Sequence, residues 1–413
     1  MSWQTLALRP LDGLFFRDAR PFNQDDEGLA EARTLFPPFP TQLAGAVRAA
    51  MARAAGWDGT RARPGASGKD DPWHAFRGTF GDGLDDAGEL RFGPPLLLLP
   101  SALRKNWEVL YPLPNAVLCR APTAEELKKR GRDKPYAVHE VVIAKPGSAG
   151  AACDAPLGSG MSLPVVGPKG FDQRPDCWIS RESMTTFLKG RAVDPKGDAI
   201  VSLDEVAPSE LRIGLERNSR THRATTGMLY TAAHRRLKPD HALGIAVDWT
   251  DGRAEPVPAL AEVMPLGGHG RAVAVEAAAA DVHVQQRLLP WSVTPPSDTF
   301  GAGPDHSLNV MVVLISPCSL SPERMAGALG ADLVSACVGR PLIFGGWNVG
   351  KRAPIRRFLP AGTTLFLRKA GERSAVLAEL RKRQEEGLGA YAWFGCGAFV
   401  IGTWKNGEGA GNG

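Results

Sequence analysis

The clearest pattern of hydrophobic and polar positions lies in the last third of the chain. The run NVMVVLIS (309–316) is apolar almost throughout, as in a strand that is buried on both faces. Ser321 and Pro322 then mark the start of a helix, because serine caps helix N-termini and proline fits the first turn. The apolar residues that follow recur every four positions and predict a single helix: Met325, Leu329, Leu333 and Cys337.

Four further elements complete this segment. PLIFGG (341–346) and GTTLFLRKA (362–370) have the composition of strands. SAVLAELRKRQEEG (374–387) has helical periodicity, and AFVIGTW (398–404) is a closing strand. The order is β-α-β-β-α-β, which is the pattern of ferredoxin-like domains and of RNA-recognition modules.

The first two thirds of the chain repeat this plan with longer connections. WQTLALRPL predicts a strand, residues 41–56 an alanine-rich helix, and LRFGPPLLLL another strand. GMLYTAAHRRL and HALGIAVDW predict an antiparallel pair joined at residues 238–240. The sequence therefore predicts an α+β protein of two tandem ferredoxin-like (RRM-like, βαββαβ) domains with long insertions. The predicted boundaries are residues 1–280, with an insertion at about 100–210, and residues 281–413.

Composition and charge narrow the classes of partner only slightly. The 413 residues carry a net charge of +5, so a nucleic-acid partner is permitted, but only clustering of basic residues can indicate one. The N-terminus lacks a basic region followed by an apolar run, and the longest apolar run (94–100) is too short to span a bilayer. We therefore expect a cytoplasmic protein that does not associate with a membrane.

Metal and disulfide chemistry find little support in the sequence. The six cysteines are scattered singly, and no CxxC pair occurs. The histidines and acidic residues show no metal-ligand spacing such as HExxH. We expect reduced cysteines that serve mainly in packing, and neither a metal nor a cofactor.

A glycine-rich stretch near the C-terminus, EEGLGAYAWFGCGAFVIG (385–402), raises the possibility of phosphate binding. Its four central glycines form two GxG pairs: Gly387, Gly389, Gly395 and Gly397. No Lys follows them as in a P-loop, and the predicted order of helix, loop and strand is the reverse of a dinucleotide fingerprint. Two interpretations stay open. The backbone could approach RNA closely, or the stretch could be an ordinary loop that connects helix and strand.

Basic residues concentrate in three loop segments. The candidates are Arg17 and Arg20 in LFFRDARPFN (14–23), Arg217, Arg220 and Arg223 in ERNSRTHRATTGMLY (216–230), and Lys351 and Arg352 in FGGWNVGKRAPIRRFLPAG (344–362). Guanidinium groups beside aromatic and hydroxyl side chains suit single-stranded RNA, in which bases stack and phosphates pair with cations. Each segment could equally be a solvated turn.

Taken together in order, these segments resemble a known family. They are LDGLFFRDARPFN, FPPFPTQLAGAVR, TTGMLYTAAHRRL, LGGHGR (266–271), GGWN, KRAPIRRFLPAGTTLFL and GLGAYAWFGCGAF. The chain is similar, over nearly all of its length, to the RAMP-superfamily subunit of the Cmr (type III-B) CRISPR effector complex that binds the 5′ tag of the crRNA. The insertion at 100–210 carries no matching motif.

The resemblance implies a non-catalytic RNA-binding subunit. Such a subunit grips the repeat-derived 5′ tag and docks on the large polymerase-like subunit and on a backbone RAMP subunit. Carried onto this sequence, the tag-binding candidates are Arg17, Arg20, Arg220 and Arg223, the loop that contains Gly267, Gly268 and Arg271, and the glycine-rich stretch. His269 stands where the family motif has an acidic residue.

Two alternative functions are an endoribonuclease and a generic RNA-binding protein. A RAMP endoribonuclease that processes CRISPR repeat RNA would need a general base, and His222 or His234 could take a 2′-hydroxyl proton. For both histidines a solvated or packing role is the more common one. A generic RRM-like RNA binder is disfavoured, because no strand carries the aromatic motif of that class.

Overall fold

The structure is a computed structural model of the chain. It describes residues 3–17, 31–60, 71–100, 107–129, 138, 140–147, 161–165, 168–195, 199–249, 260–278, 282–301, 306–345, 347–348, 351–352 and 354–405.

Short helices and many strands make up this described part of the chain. The α-helices are α1 (Pro40–Ala54), α2 (Arg77–Phe80), α3 (Ala124–Lys129), α4 (Arg181–Leu188), α5 (Leu203–Val206), α6 (Val282–Leu288), α7 (Pro322–Ala328) and α8 (Arg373–Glu386). The strands are β1 (Gln4–Pro10), β2 (Glu31–Arg33), β3 (Leu90–Phe92), β4 (Leu96–Pro100), β5 (Trp107–Pro112), β6 (Val117–Arg120), β7 (Glu140–Ile143), β8 (Lys145–Pro146), β9 (Pro164–Val165), β10 (Asp172–Gln173), β11 (Cys177–Ser180), β12 (Ile200–Ser202), β13 (Ser209–Arg217), β14 (Ala224–Arg235), β15 (Ala242–Trp249), β16 (Val263–Pro265), β17 (Ala272–Ala277), β18 (Ser307–Leu314), β19 (Asp332–Cys337), β20 (Leu342–Phe344), β21 (Trp347–Asn348), β22 (Lys351–Arg352), β23 (Arg356–Phe358), β24 (Thr364–Ala370) and β25 (Phe399–Thr403).

The chain forms two compact units, and each unit is drawn from three separate segments. The first unit comprises Met1–Trp107, Asp204–Gln285 and Ile343–Arg356. The second comprises Glu108–Leu203, Gln286–Leu342 and Arg357–Gly413. The domain boundaries given by the sequence, at residue 280 and at about 100–210, stay a prediction.

An antiparallel sheet forms the core of the first unit. Its neighbouring strands follow the order β4-β15-β1-β17-β16, and β3 also pairs with β15. β1 is central, because Leu6 pairs with Ile245 of β15 on one side and with Ala277 of β17 on the other. Leu6, Ala7 and Leu8 are all buried, so both faces of this strand are covered, which explains its consecutive apolar residues. Helix α1 buries one apolar stripe, which includes Leu43 and Val47.

A second sheet of this unit carries a long β-hairpin. β13 and β14 are antiparallel, from the pair Ser209–Arg235 at the base to Arg217–Ala224 near the tip, and β2 pairs in parallel with β14. The prediction that β14 pairs with β15 is wrong. The two strands follow each other in the chain but belong to different sheets: β14 pairs with the preceding strand β13 and with β2, whereas β15 pairs with β1, β3 and β4.

The second unit contains a four-stranded antiparallel sheet in the order β19-β24-β18-β25. Its main elements, β18, α7, β19, β24, α8 and β25, have the predicted β-α-β-β-α-β order. The second strand of the sheet is β19, however, and not the predicted PLIFGG, which forms β20 and pairs with β23 in a separate two-stranded sheet. Residues of both helices and of β18, β24 and β25 share one buried apolar cluster, which includes Val312, Met325, Leu367, Leu380 and Phe399, and partly buried residues of β19 pack against it.

The helix predicted to reach residue 337 is shorter than expected. α7 ends at Ala328, the chain turns at Gly330, and Leu333 and Cys337 lie in β19. A spacing of four residues satisfies a strand as well as a helix, since every second side chain of a strand lies on the same face. The periodicity was therefore ambiguous, and the glycine decides it.

Candidate nucleic-acid interface

The LGGHGR segment forms a tight loop between β16 and β17. The Leu266 N–H donates to the Arg271 carbonyl at 2.9 Å and closes the loop, and the Gly268 N–H donates to the Phe15 carbonyl at 2.8 Å. His269 and Gly270 have φ values of 61° and 67° in the turn. The loop is thus held from both ends and leaves His269 exposed at its tip.

Of the two glycines in this loop that are predicted to bind RNA, Gly267 and Gly268, the first has a local reason to be glycine. Gly267 has φ 85°, and a Cβ there would lie 2.9 Å from the Phe15 carbonyl oxygen. A side chain would push the loop off the segment after β1. Both glycines are exposed, so a role in close approach to RNA stays a prediction beside this structural one.

A network of ion pairs lies next to this loop. Asp12 accepts hydrogen bonds from Arg212 at 2.8 Å, from Arg236 at 2.6 Å and from Arg271. Glu210 adds contacts to Arg212 at 2.6 Å and to Arg236 at 2.5 Å. The Arg212 hydrogen bond, the Gly13 N–H and the Arg236 hydrogen bond hold the pKa of Asp12 far below its usual range. Three guanidinium groups against two carboxylates leave one net positive charge.

Arg271, predicted to bind RNA, is therefore already engaged within the fold. Its side chain is 17% exposed and joins the LGGHGR loop to Asp12. A guanidinium has five N–H donors, so a phosphate contact could coexist with this ion pair. The predicted RNA contact of Arg271 stays a prediction.

Three rings pack together beneath the loop. Phe15 lies with its ring centroid 5.0 Å from those of both His234 and His269, and its plane is within 18° of the His269 plane. The two imidazoles are 5.6 Å apart. This cluster could not be predicted from local patterns, because its members lie in three distant segments of the chain.

The two histidines considered as general bases have different surroundings. His234 is 1% exposed, its Nδ1 lies 3.1 Å from the Ala232 carbonyl, and its Nε2 has no hydrogen-bond partner. Burial lowers the pKa of His234, so its neutral form is favoured. His222 is exposed at the tip of the β13–β14 hairpin with φ 56°.

The tip of this hairpin carries the predicted arginines Arg217, Arg220 and Arg223, and all three are exposed. Asn218 shapes the turn, because its Oδ1 accepts the N–H groups of Arg220 and Thr221 at 3.0 Å each. At about 3.3 Å per strand residue, the tip lies about 20 Å from Arg212 and the ion-pair network. The structure thus brings the tip arginines together but places them away from the LGGHGR loop.

The other basic candidates of the first unit are only partly described. Arg17 is exposed and forms a β-bridge with Thr34, close to the Phe15 segment. Arg20 lies outside the described residues. Lys351 and Arg352 form β22, which pairs with β21 in a two-stranded ladder (Trp347 with Arg352, Asn348 with Lys351).

The glycine-rich stretch, in the second unit, is tied to its own surroundings. The Leu388 N–H donates to the Gly397 carbonyl, and the Gly397 N–H donates to the Pro317 carbonyl at 2.8 Å. A Cβ on Gly397 would lie 1.8 Å from the Leu388 carbonyl oxygen. Positive φ values are common to the four glycines: Gly387 (72°), Gly389 (78°), Gly395 (85°) and Gly397 (64°). The fold therefore accounts for these glycines without a ligand.

Only part of this stretch is accessible to a partner. Gly395 and Gly397 are buried, whereas Gly389 is exposed. Trp393, which the sequence analysis did not single out, is 48% exposed in the short turn between the two glycine pairs. Its neighbour Tyr391 is buried and stacks on Phe358 with centroids 6.1 Å apart. The position of Trp393 between the two GxG pairs is the sequence feature that could have indicated an exposed aromatic side chain in this loop.

An exposed apolar face on β13 was also missed. Leu211, Ile213 and Leu215 alternate along the strand and are 59%, 70% and 50% exposed. Alternation of this kind normally predicts a face that packs on the core. On β13 the opposite face carries Glu210 and Arg212, which form the ion-pair network, so the polar face is the one that packs.

Chemistry elsewhere in the described residues is limited. Five buried, unbridged cysteines occur there, and burial raises the pKa of Cys119 and Cys337 to about 12. Across those residues, no cluster of three or more His, Cys, Asp or Glu side chains could hold a metal ion. The helices described are all too short or too polar to cross a bilayer.

The described residues form an α+β fold of mostly antiparallel sheets, and one hairpin tip carries three exposed arginines. The family model described as CRISPR-associated protein (Cas_Cmr3) matches residues 6–404. The chain belongs to this family, and the predicted relation to a Cmr subunit is confirmed.

Solved structures of low sequence identity have similar chains. Two are from structures of the type III-B Cmr-beta bound to cognate target RNA, one of them also with AMPPnP (state 1). Both chains are 12% identical to this one, and 99% of each is covered. The chain bound to target RNA alone covers 97% of this chain with a TM-score of 0.47. The chain from the structure with AMPPnP covers 96% of this chain with a TM-score of 0.44. A chain of the Csm3-Csm4 subcomplex of the type III-A CRISPR-Cas interference complex is 8% identical, covers 89% of this chain and 97% of its own, and has a TM-score of 0.35. No curated protein matches the chain.

Proposed function

We propose that the chain is a non-catalytic, RNA-binding subunit of a type III-B CRISPR (Cmr) ribonucleoprotein effector complex. In this role it grips the repeat-derived 5′ tag of the crRNA and docks on the large polymerase-like subunit and on a backbone RAMP subunit. It would act in antiviral defence, in the cytoplasm. The observation that carries this proposal is the family match across residues 6–404.

The distribution of exposed cations supports an RNA partner. Arg217, Arg220 and Arg223 share one hairpin tip, and Arg17 lies beside the segment that holds the LGGHGR loop. Guanidinium groups bind phosphate with paired hydrogen bonds, and those that are exposed at the hairpin tip are accessible to such a partner. The arginines of the ion-pair network would instead hold the first unit in shape.

The position of the histidines favours binding over cleavage. A general base must reach the proton that it removes, and His234 is buried against the Ala232 carbonyl. His222 is accessible, but catalysis would also need a second group that acts as the general acid. The hydrogen bonds described for the turn around His222 join backbone groups and Asn218 and include no such group. An endoribonuclease built on either residue is the outcome that the experiment below must exclude.

We further propose that each unit is a ferredoxin-like domain with insertions, as in other RAMP proteins. The β19-β24-β18-β25 order of the second unit supports this, because in a βαββαβ fold the two strands that flank a helix are separated by the third strand. In the first unit, the corresponding helix would be α1 after β1.

The test is direct binding of the full-length protein to labelled single-stranded RNA that carries the host's repeat-derived tag. We expect saturable binding that a scrambled RNA of equal length competes for poorly, and no cleavage of repeat RNA. Cleavage that is present in the wild type and lost in His222→Ala would replace the proposal by the endoribonuclease. An equal affinity for tag and scrambled RNA would contradict recognition of the tag.

A further inference from the structure

We propose that His269 is a stacking platform for one unpaired nucleobase of the bound RNA. This inference rests on the proposed function, since it names how that RNA is held. It assigns to His269 a specific contact that the proposed function does not name.

The loop presents the His269 ring in a fixed position. The hydrogen bonds from Leu266 to Arg271 and from Gly268 to Phe15 fasten the loop at 2.9 Å and 2.8 Å. His269 lies at its exposed tip with φ 61°, a conformation that few non-glycine residues adopt. The ring is therefore pre-positioned, and a ligand would not have to order it.

The ring already belongs to a stack. Phe15 lies on one face of His269, with planes 18° apart and centroids separated by 5.0 Å, and Phe15 itself is buried. This packing distinguishes His269 from a turn residue whose ring is surrounded by solvent on all sides. One face of the imidazole is supported from below, and the side chain as a whole remains exposed.

The base of the stack is equally well supported. Phe15 also contacts His234, which is 1% exposed and has a depressed pKa owing to burial. Arg271 and Asp12 join the end of the loop to the network on β13 and β14. Unpaired bases of RNA stack on aromatic rings, histidine included. The ion-pair network holds the loop in shape, and its single net positive charge is compatible with the phosphates beside such a base. A nucleobase is thus the chemical group that this exposed ring fits.

The experiment compares variants at position 269 on intact and abasic RNA. His269→Asn removes the ring but keeps a residue that tolerates φ > 0, and His269→Tyr restores a ring. His306→Asn is the matched control, because His306 is also exposed and has φ 56°. The probe is single-stranded tag RNA, together with a set in which each nucleotide in turn is replaced by an abasic ribose. Melting temperatures are measured on the same preparations.

We expect His269→Asn to weaken binding of intact RNA by about 5- to 150-fold, and His269→Tyr to recover most of the affinity. One abasic position should mimic the loss of the ring. The wild type should bind this abasic RNA as weakly as His269→Asn binds intact RNA. His269→Asn should bind intact RNA and this abasic RNA with equal affinity. His306→Asn should bind as the wild type does.

Other results would overturn the inference. If the wild type binds tag RNA but no abasic position couples to His269, the platform is wrong while the proposed function stands. A loss of affinity in His269→Asn that coincides with a lowered melting temperature and equal sensitivity at every abasic position would make His269 a folding residue. If the wild type does not bind tag RNA at all, the proposed function fails and this inference fails with it.

Discussion

At the scale of single residues, the positions assigned to RNA from the sequence fall into two groups. Arg271 and Gly397 have internal partners that account for their identity, the Asp12 carboxylate and the Leu388 backbone. Arg220, by contrast, is exposed at a hairpin tip and its side chain is open to a ligand. Substitution of the first group should therefore affect folding, and substitution of the second should affect binding.

Gly397→Ala should destabilise the protein strongly. The added Cβ would lie 1.8 Å from the Leu388 carbonyl oxygen, at a residue with φ 64°, and we expect a loss of at least about 2 kcal/mol. The matched control is Gly45→Ala, because Gly45 lies inside α1 with nothing within 4 Å of an added Cβ. That control should be neutral or stabilising by up to about 1 kcal/mol. Denaturant unfolding of both variants checks this, and a Gly397→Ala protein as stable as the wild type would contradict it.

Asp12→Asn should change how stability depends on pH. Because the arginine hydrogen bonds lower the pKa of Asp12 in the folded state, its contribution is present above the ordinary carboxyl pKa of about 4 and is lost as the pH falls below it. We expect the variant to be about 1–2 kcal/mol less stable at pH 7, a value reduced for the partial exposure of the group. The difference should narrow as the pH falls from about 5 towards 2.

Melting curves of wild type and variant across this pH range provide the measurement. Asp85→Asn, at an exposed aspartate of the same unit, is the control. Its melting temperature should depend on pH in the same way as that of the wild type. A constant difference between the wild type and Asp12→Asn at all pH values would show that the carboxylate charge is not what stabilises the network.

At the scale of elements, local patterns predicted what depends on neighbouring residues and missed what depends on distant ones. In the second unit the order of helices and strands follows the prediction, but the second strand of the sheet is β19, which the four-residue spacing had assigned to a helix. The expected pairing of β14 with β15 failed, since β14 pairs with β13 and β2 while β15 pairs with β1 and β4. Partner choice between strands is decided by packing across the whole unit, which a local pattern does not contain.

The hairpin tip should carry part of the affinity for RNA. Arg220→Ala and Arg223→Ala remove exposed cations without internal ion pairs among those described, so folding should be unchanged and binding weaker. Each lost phosphate contact should reduce the slope of log affinity against log salt by about 0.7 for a single strand. Arg191→Ala, at an exposed arginine of the second unit, is the control. Unchanged affinity and slope in both tip variants would make the tip a solvated turn.

At the scale of the whole molecule, the sequence led to the family but only to part of the candidate site. Motifs spread along the chain were enough for the family, and the match over residues 6–404 confirms it. The exposed arginines could be predicted, because clusters of one charge are visible in a sequence. The network around Asp12 could not, since Asp12 and Arg271 are 259 positions apart. The same holds for the Phe15, His234 and His269 rings.

The central claim is that this chain holds the 5′ tag of the crRNA within the assembled complex. Ultraviolet crosslinking of the intact complex purified from its host, followed by mass spectrometry of peptide–nucleotide adducts and mapping of the RNA ends, tests it most directly. We predict adducts between the first nucleotides of the crRNA and peptides that contain residues 14–17, 217–223 or 266–271. Recovery of the chain in the complex with adducts only to the guide or target region, or with no adducts on these peptides, would contradict the account.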